Sequence, residues 1–260
     1  MTLVMGVLNV TPDSFSDGGR FLDPDAAIAH GLEMVAQGAD IVDVGGESTR
    51  PGADPVEEAE ERGRVIPVIQ ALAPRVRVSI DTRKAGVAEA ALEAGASLVN
   101  DVSASLWPVA AAGRAGWVAM HMRGEPRTMQ QDATYDDVVA DVKAFLTDRA
   151  DKAEAAGVSE IWIDPGIGFG KTIEHNLLLL RHLSGMIATG RPVLIGTSRK
   201  SFLGRLAAPT GQPPVAADDR LEGSLATAVW AAVQGVGIVR VHDVEPTVQA
   251  LRLVQTKVAA

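Results

Sequence analysis

Eight short apolar runs, the helical patterns between them and a repeat length close to one strand plus one helix predict a (β/α)8 barrel. The runs are Leu3–Leu8, Ile41–Val44, Val76–Ile80, Ser97–Val99, Trp117–Met120, Ile161–Ile163, Val193–Ile195 and Ile238–Val241. Most are almost continuously apolar, as expected of parallel strands covered on both faces. In the first helical stretch Ile28, Leu32 and Val35 share a face behind Asp23-Pro24, a cap and first-turn pair. Val138, Val142, Phe145 and Leu146 follow Thr134 and Asp137, a T-x-x-D start signal, and Val244, Val248, Leu251 and Val258 line the last helix. A repeated phrase marks the helix-to-strand junctions: Gln37-Gly-Ala-Asp-Ile-Val, Ala94-Gly-Ala-Ser-Leu-Val and, more loosely, Gln234-Gly-Val-Gly-Ile-Val. Its glycine suits a left-handed cap, with the next strand starting at once. Eight such units in 260 residues give roughly 32 residues each. Pattern alone leaves open whether the sheet closes, and an open doubly wound sheet is the alternative.

No linker divides the chain, so residues 1–260 read as one domain; the most loop-like stretch, Ala207–Asp219, falls late, between helical patterns. Composition narrows the classes. The chain is 47% apolar and has no run near the ~18 residues a membrane span requires. It has no cysteine, which removes disulfides, thiolate metal sites and a cysteine nucleophile, and makes the cytoplasm the expected location. A net charge of −9 argues against nonspecific nucleic-acid or membrane-surface binding, though not against a phosphorylated small molecule held by a few local cations.

Loop lengths point to the active face. Connections into strands are tight, whereas Val10–Leu22 after the first strand and Gly45–Asp54 after the second exceed the usual ~2–6 residues. Barrels place their chemistry at that end of the strands. The residues there are Asn9, Asp43, Asp81, Asn100, Asp101, His121, Asp164, Ser198-Arg199-Lys200, Arg240 and His242. Any one of them could be a cap or a local salt bridge. Together they exceed what capping needs. Asp81, Asn100 and Asp164 offer acceptors and an amide for the edge of a polar heterocycle, and Lys200, Arg240, His242 and Arg50 offer donors for an anion. Gly166-Ile-Gly-Phe-Gly-Lys171-Thr imitates a phosphate loop, but Pro165 stands where the first glycine is required. No H-E-x-x-H spacing supports a zinc hydrolase. His30, His175 and His182 lie in helical stretches and are expected to face solvent.

Several motifs carry a family resemblance. Met5-Gly-Val-Leu-Asn-Val-Thr-Pro-Asp-Ser-Phe-Ser-Asp-Gly-Gly19 and Asp43-Val-Gly-Gly-Glu-Ser-Thr-Arg-Pro-Gly52 resemble the two signatures of the dihydropteroate synthase family. Ser79–Thr82, Asn100–Ser103, Met120–Gly124, Asp164–Lys171, Thr197–Lys200 and Arg240–His242 match further motifs in family order. The resemblance implies a dimeric barrel enzyme, a transferase of folate synthesis. It would join 4-aminobenzoate to 6-hydroxymethyl-7,8-dihydropterin diphosphate and release pyrophosphate with Mg²⁺ present. Carried over by position, Asp81, Asn100 and Asp164 would hold the pterin, with Lys200 beside them. Thr49 and the Arg240-Val241-His242 strand end would bind the diphosphate, helped by Arg50. Asn9 would serve the metal–diphosphate site, and Phe15, Pro51 and Ser201 would border the aminobenzoate pocket. Asp81, Lys200 and Arg240 would carry the catalysis. The family continues Asn100-Asp-Val-Ser103 with two glycines, whereas Ala104-Ser105 stand here, which restricts φ and is expected to reshape that loop. Two other readings compete: a related pterin-binding methyltransferase and a catalytically silent pterin-binding paralogue.

Overall fold

All eight apolar runs form strands in the computed structural model, which describes residues 1–11, 24–48, 55–124, 129 and 133–256. They are β1 Leu3–Asn9, β2 Ile41–Gly45, β3 Arg77–Asp81, β4 Leu98–Asp101, β5 Gly116–Met120, β6 Ile161–Asp164, β7 Leu194–Ile195 and β8 Ile238–Val241. Every pairing is parallel, in the order β6-β5-β4-β3-β2-β1-β8-β7. The last seam is thin. Ile163 of β6 bridges Val193, just before the two-residue β7, and its N–H donates to the Pro192 carbonyl at 3.0 Å. The sheet therefore closes, and the open doubly wound alternative is excluded.

The connections are helical: α1 Pro24–Ala36, α2 Glu58–Leu72, α3 Ala85–Glu93, α4 Trp107–Ala112 and α5 Val138–Ala155 follow strands one to five. After β6 come α6 Ile173–Arg181 and α7 Leu183–Ile187; after β7, α8 Ser201–Ala207 and α9 Leu221–Gln234; after β8, α10 Val244–Gln255. The repeated junction phrase behaves as expected: Gly38, Gly95 and Gly235 have φ of 100°, 112° and 98°, the left-handed conformation that ends a helix and turns it into the next strand. One helix start differs from the sequence reading. Asp137 itself caps α5, accepting from the Val139 and Ala140 N–H groups at 3.0 Å, so the helix begins after it and not after Thr134. His30 and His182 are exposed, as expected. His175 is half-buried instead, because its ring accepts from the Thr172 N–H and completes a capping box on α6.

Side chains alternate between two cores, and this alternation builds the site. Val42, Val44, Val78, Ile80, Val99, Ala119, Ile163, Val239 and Val241 join the large apolar layer shared with the helices. Met5, Ile41, Leu98, Val118, Leu194 and Ile238 form a separate apolar cluster, the plug of the barrel interior. A strand turns the same face inward every second residue. One such step beyond the plug, about 6–7 Å toward the C-terminal mouth, the inward positions become polar: Asp43 after Ile41, Asn100 after Leu98 and Arg240 after Ile238.

The opposite end is closed by an ion pair. Arg77 donates to both Glu160 carboxylate oxygens at 2.9 and 2.6 Å, and the Trp162 indole N–H donates to the same carboxylate at 2.7 Å. Burial pushes the Glu160 carboxyl up, but Arg77 and Trp162 outweigh it and hold the group below its ordinary value. Its stabilising contribution is thus present above the ordinary carboxylate range and lost as pH falls through the lowered value. Both side chains are about one-third exposed, so Arg77→Met is expected to cost only ~1 kcal/mol. Calorimetric melting should show a drop of roughly 2–4 °C at pH 7 that fades in acid, with ligand binding untouched.

Candidate active site

Four inward residues form one hydrogen-bonded chain across the mouth. The fully buried carboxylate of Asp43 accepts at Oδ2 from Asn100 Nδ2 (2.9 Å) and from Arg240 Nε (2.6 Å). Arg240 reaches on to Asp81, donating from Nη2 to Oδ2 at 2.7 Å. One guanidinium thus serves two carboxylates from different strands, the fixed fork for which arginine is suited. Those two carboxylates raise the guanidinium pKa further against the opposing effect of burial. Burial pushes the Asp81 carboxyl up to about 7; Arg240 pulls it back, and neighbouring carboxylates, Asp43 first, reinforce the rise.

Asp164 lies across the mouth at the end of β6, buried, with Oδ1 accepting from the Gly166 N–H at 2.7 Å. Burial raises its carboxyl pKa, with Lys200 the first of the charges that oppose this. Lys200 precedes α8. Its ammonium donates to the Ile167 carbonyl and stands 4.6 Å from the centre of the Phe169 ring. Burial lowers its pKa to about 8 against the pull of Asp164. At the end of β8, the His242 N–H donates to Ser198 Oγ at 3.1 Å, and the same hydroxyl lies 3.0 Å from His242 Nδ1. Asn9 and Asp81 flank Gly45: a Cβ built there would lie 3.8 Å from Asn9 Oδ1 and 3.7 Å from Asp81 Oδ2. The absent side chain keeps this part of the mouth open.

Chemically, the mouth sets the Asn100–Asp43–Arg240–Asp81 chain on one side and Asp164 with Lys200 opposite, so carboxylates and an amide stand interleaved with an arginine, a lysine and a histidine. Such a set holds a polar heterocycle by its edge and an anion beyond it. Among the described residues, no group of three His, Cys, Asp or Glu side chains could hold a metal by itself.

The chain matches the family model described as pterin binding enzyme over residues 5–242. It is 50% identical to the dihydropteroate synthase of Mycobacterium leprae, over 96% of this chain and 92% of that protein. The chain belongs to the dihydropteroate synthase family. Solved structures agree. The Yersinia pestis dihydropteroate synthase, in complex with a sulfonamide drug, superposes with a TM-score of 0.90 at 45% identity, covering 98% of this chain and 93% of that one. The Xanthomonas albilineans dihydropteroate synthase, solved with 4-aminobenzoic acid, gives 0.89 at 46% identity over 98% and 92%. Its structure in complex with 7,8-dihydropteroate gives 0.85 at 43% identity over the same shares.

Of the residues that family resemblance selects, the fold brings Asn9, Asp81, Asn100, Asp164, Lys200, Arg240 and His242 to the strand ends at the mouth. Ser201 opens α8 beside Lys200 and is exposed. Val241 sits differently. It faces outward into the apolar layer under the helices, so only its backbone can face a ligand. Phe15, Thr49, Arg50 and Pro51 lie outside the described residues. Two polar strand ends serve the fold. Asp101 gathers the Ser103, Ser105 and Leu106 N–H groups and the Trp117 indole, so the loop after β4 is organised by its carboxylate. There Ala104 is buried with φ 48°, taking the left-handed conformation although it is not glycine, at a cost of about 1–2 kcal/mol. Arg199 is bound to Asp243 through Nε at 3.1 Å and Nη2 at 2.6 Å, which turns it away from anion duty. Sequence reasoning gave no role to Asp43, although it joins Asn100 to Arg240. The signal was present: it stands two residues after Ile41 of the plug, on the inward face.

Proposed function

We infer that the mouth of this barrel is where the chain, a transferase of the dihydropteroate synthase family, condenses 4-aminobenzoate with 6-hydroxymethyl-7,8-dihydropterin diphosphate. The products are 7,8-dihydropteroate and pyrophosphate. The observation that carries the site assignment is the Asn100–Asp43–Arg240–Asp81 chain above an apolar plug, with Asp164 and Lys200 opposite. The pterin's ring N–H and amino groups are donors, and the Asp164 carboxylate and the Asn100 amide oxygen are acceptors that meet them. Arg240 and His242 face the diphosphate, and Lys200 donates along the pterin edge.

In the reaction the methylene C–O bond breaks and its electron pair leaves with pyrophosphate. The aromatic amine nitrogen then forms the new C–N bond and gives up a proton to water. An arylamine is a weak nucleophile, so the departure must be helped. Arg240 and His242 stabilise the charge growing on the leaving group, and ionised Asp81 stabilises positive charge developing at the methylene. No covalent enzyme intermediate is required.

Mg²⁺ is proposed as the cofactor. Asn9 offers one hard oxygen, and Mg²⁺ is commonly held by one or two protein oxygens together with substrate phosphates, so the donor set fits a metal that arrives with the diphosphate. When bound it would add charge neutralisation at the leaving group. A homodimer is also proposed: Trp230 and Val233, three residues apart on α9, are 48% and 63% exposed, an apolar face suited to a second copy. No described helix is long and apolar enough to cross a membrane. A cytoplasmic location rests on the lack of cysteine.

The direct test is pyrophosphate release. With pterin diphosphate, 4-aminobenzoate and Mg²⁺ together, release should be rapid, and omitting any one should abolish it. Removing divalent metal with a chelator should stop turnover while leaving binding of the bare hydroxymethylpterin unchanged. Pterin binding without release would instead identify a silent binder.

A further inference from the structure

Lys171 is a buried cation that the reaction leaves without a role. It is 3% exposed, and its Nζ lies 2.9 Å from His121 Nδ1, 3.0 Å from the Gly166 and Phe169 carbonyls and 3.3 Å from the His121 carbonyl. Two of these partners belong to the end of β5 and two to the turn after β6, so one ammonium ties the two strand ends together. The turn is built for close approach. Gly166 has φ 65°, and a Cβ there would lie 1.9 Å from the His121 carbonyl oxygen. Gly168 and Gly170 are left-handed as well, at φ 86° and 62°, so the turn has little stiffness of its own. Outside contacts fix it: Asn176 Oδ1 accepts from the Gly168 N–H at 2.7 Å, and the Tyr135 hydroxyl donates to the Gly170 carbonyl at 3.0 Å.

The carbonyls divide between two lysines. Those of Gly166 and Phe169 point to Lys171, while that of Ile167, between them, receives Lys200. Phe169 also supplies the ring over which the Lys200 ammonium sits. Building on the pterin site assigned above, we propose that Lys171 is a positioning residue: by holding the Gly166 and Phe169 carbonyls it aims the Ile167 carbonyl and the Phe169 ring, and so places Lys200 against the pterin. His121 is its fixed partner. Burial, followed by the charge of Lys171, lowers the imidazole pKa to about 3, so the ring stays neutral and Nδ1 can accept. Burial likewise lowers the Lys171 pKa to about 7, opposed by Asp164 and reinforced by Lys200.

A residue that merely filled space would affect melting, not the contribution of Lys200. The test is therefore a double-mutant cycle on the full chain, Lys171→Met with Lys200→Met, read as the Kd for 6-hydroxymethylpterin. Lys171→Met is expected to weaken pterin binding by about tenfold or more, with the KM for 4-aminobenzoate at saturating pterin diphosphate within about twofold of wild type. In the Lys200→Met background the same change should cost less than about twofold, because the group it positions is gone. Independent effects that multiply, or a lowered Tm with unchanged Kd, would overturn the proposal. If Lys171→Met does not fold, His121→Phe takes its place in the cycle: it removes the Nδ1 acceptor while keeping an aromatic ring against Phe145, at 5.0 Å between centroids. Effects that multiply there would overturn the proposal equally. A wild-type chain that failed to bind hydroxymethylpterin would bring down the reading of the site itself.

Discussion

Asp43→Asn is expected to cost about 3–5 kcal/mol of folding stability and to lower the melting temperature by roughly 10 °C. Asp43 is fully buried, and its Oδ2 accepts from both Asn100 and Arg240. Oδ1, also buried, has no hydrogen-bond partner among the described residues. An asparagine amide would therefore place an unmet donor or acceptor in a closed site and leave the Arg240 charge with Asp81 alone. Asn100 and Arg240 would keep only a neutral amide oxygen as their shared anchor, so affinity for the bare pterin and for its diphosphate should fall together. Thermal melting and titration of the two ligands check this. A wild-type Tm with only one ligand weakened would show that Asp43 does not join the two ends of the site.

Asp81→Asn is expected to act on rate more than on stability. Its carboxylate faces Arg240 from a side chain still 17% exposed, so the asparagine can reach solvent. Removing the charge that faces the developing cation should lower kcat by about 10²–10³-fold. The pH dependence carries a sign. With the Asp81 pKa near 7, the carboxyl is protonated on the acid side and cannot stabilise positive charge, so kcat/KM should rise with pH through about 7. In the asparagine variant that acid limb should vanish. A variant that kept both the limb and the rate would remove Asp81 from the chemistry.

The barrel was legible because short apolar runs recur eight times with helical patterns between them, and a glycine-capped junction phrase repeats at Gly38, Gly95 and Gly235. What each strand turned inward was harder to read. Strands covered on both faces lose the polar–apolar alternation that reveals direction, so Ile41-Val-Asp43 looks like one apolar run ending in a charge. Closure exposes the period of two, with the plug at one level and the polar ring above it. Closure itself rested on a single bridge at Val193, too slight for any pattern to announce. Asp101 and Asp164 look alike in sequence, each ending a strand. They part only when the following turn is seen, four backbone and indole contacts serving the loop in one and, among the described residues, a single N–H bond in the other. Lys171 read as the remnant of a failed phosphate loop. Its partner His121 is 50 residues away, a contact that exists only once β5 and β6 are paired.

The central claim is that the mouth has a pterin end, around Asp164 and Asn100, and an anion end, around Arg240 and His242. Calorimetric titration of 6-hydroxymethylpterin and of its diphosphate against wild type, Asp164→Asn and His242→Ala tests it most directly. The account predicts that Asp164→Asn weakens both ligands alike, by about ten- to a hundredfold, whereas His242→Ala weakens the diphosphate by about tenfold and spares the bare pterin. Equal losses for both ligands in His242→Ala, or unchanged pterin affinity in Asp164→Asn, would contradict it.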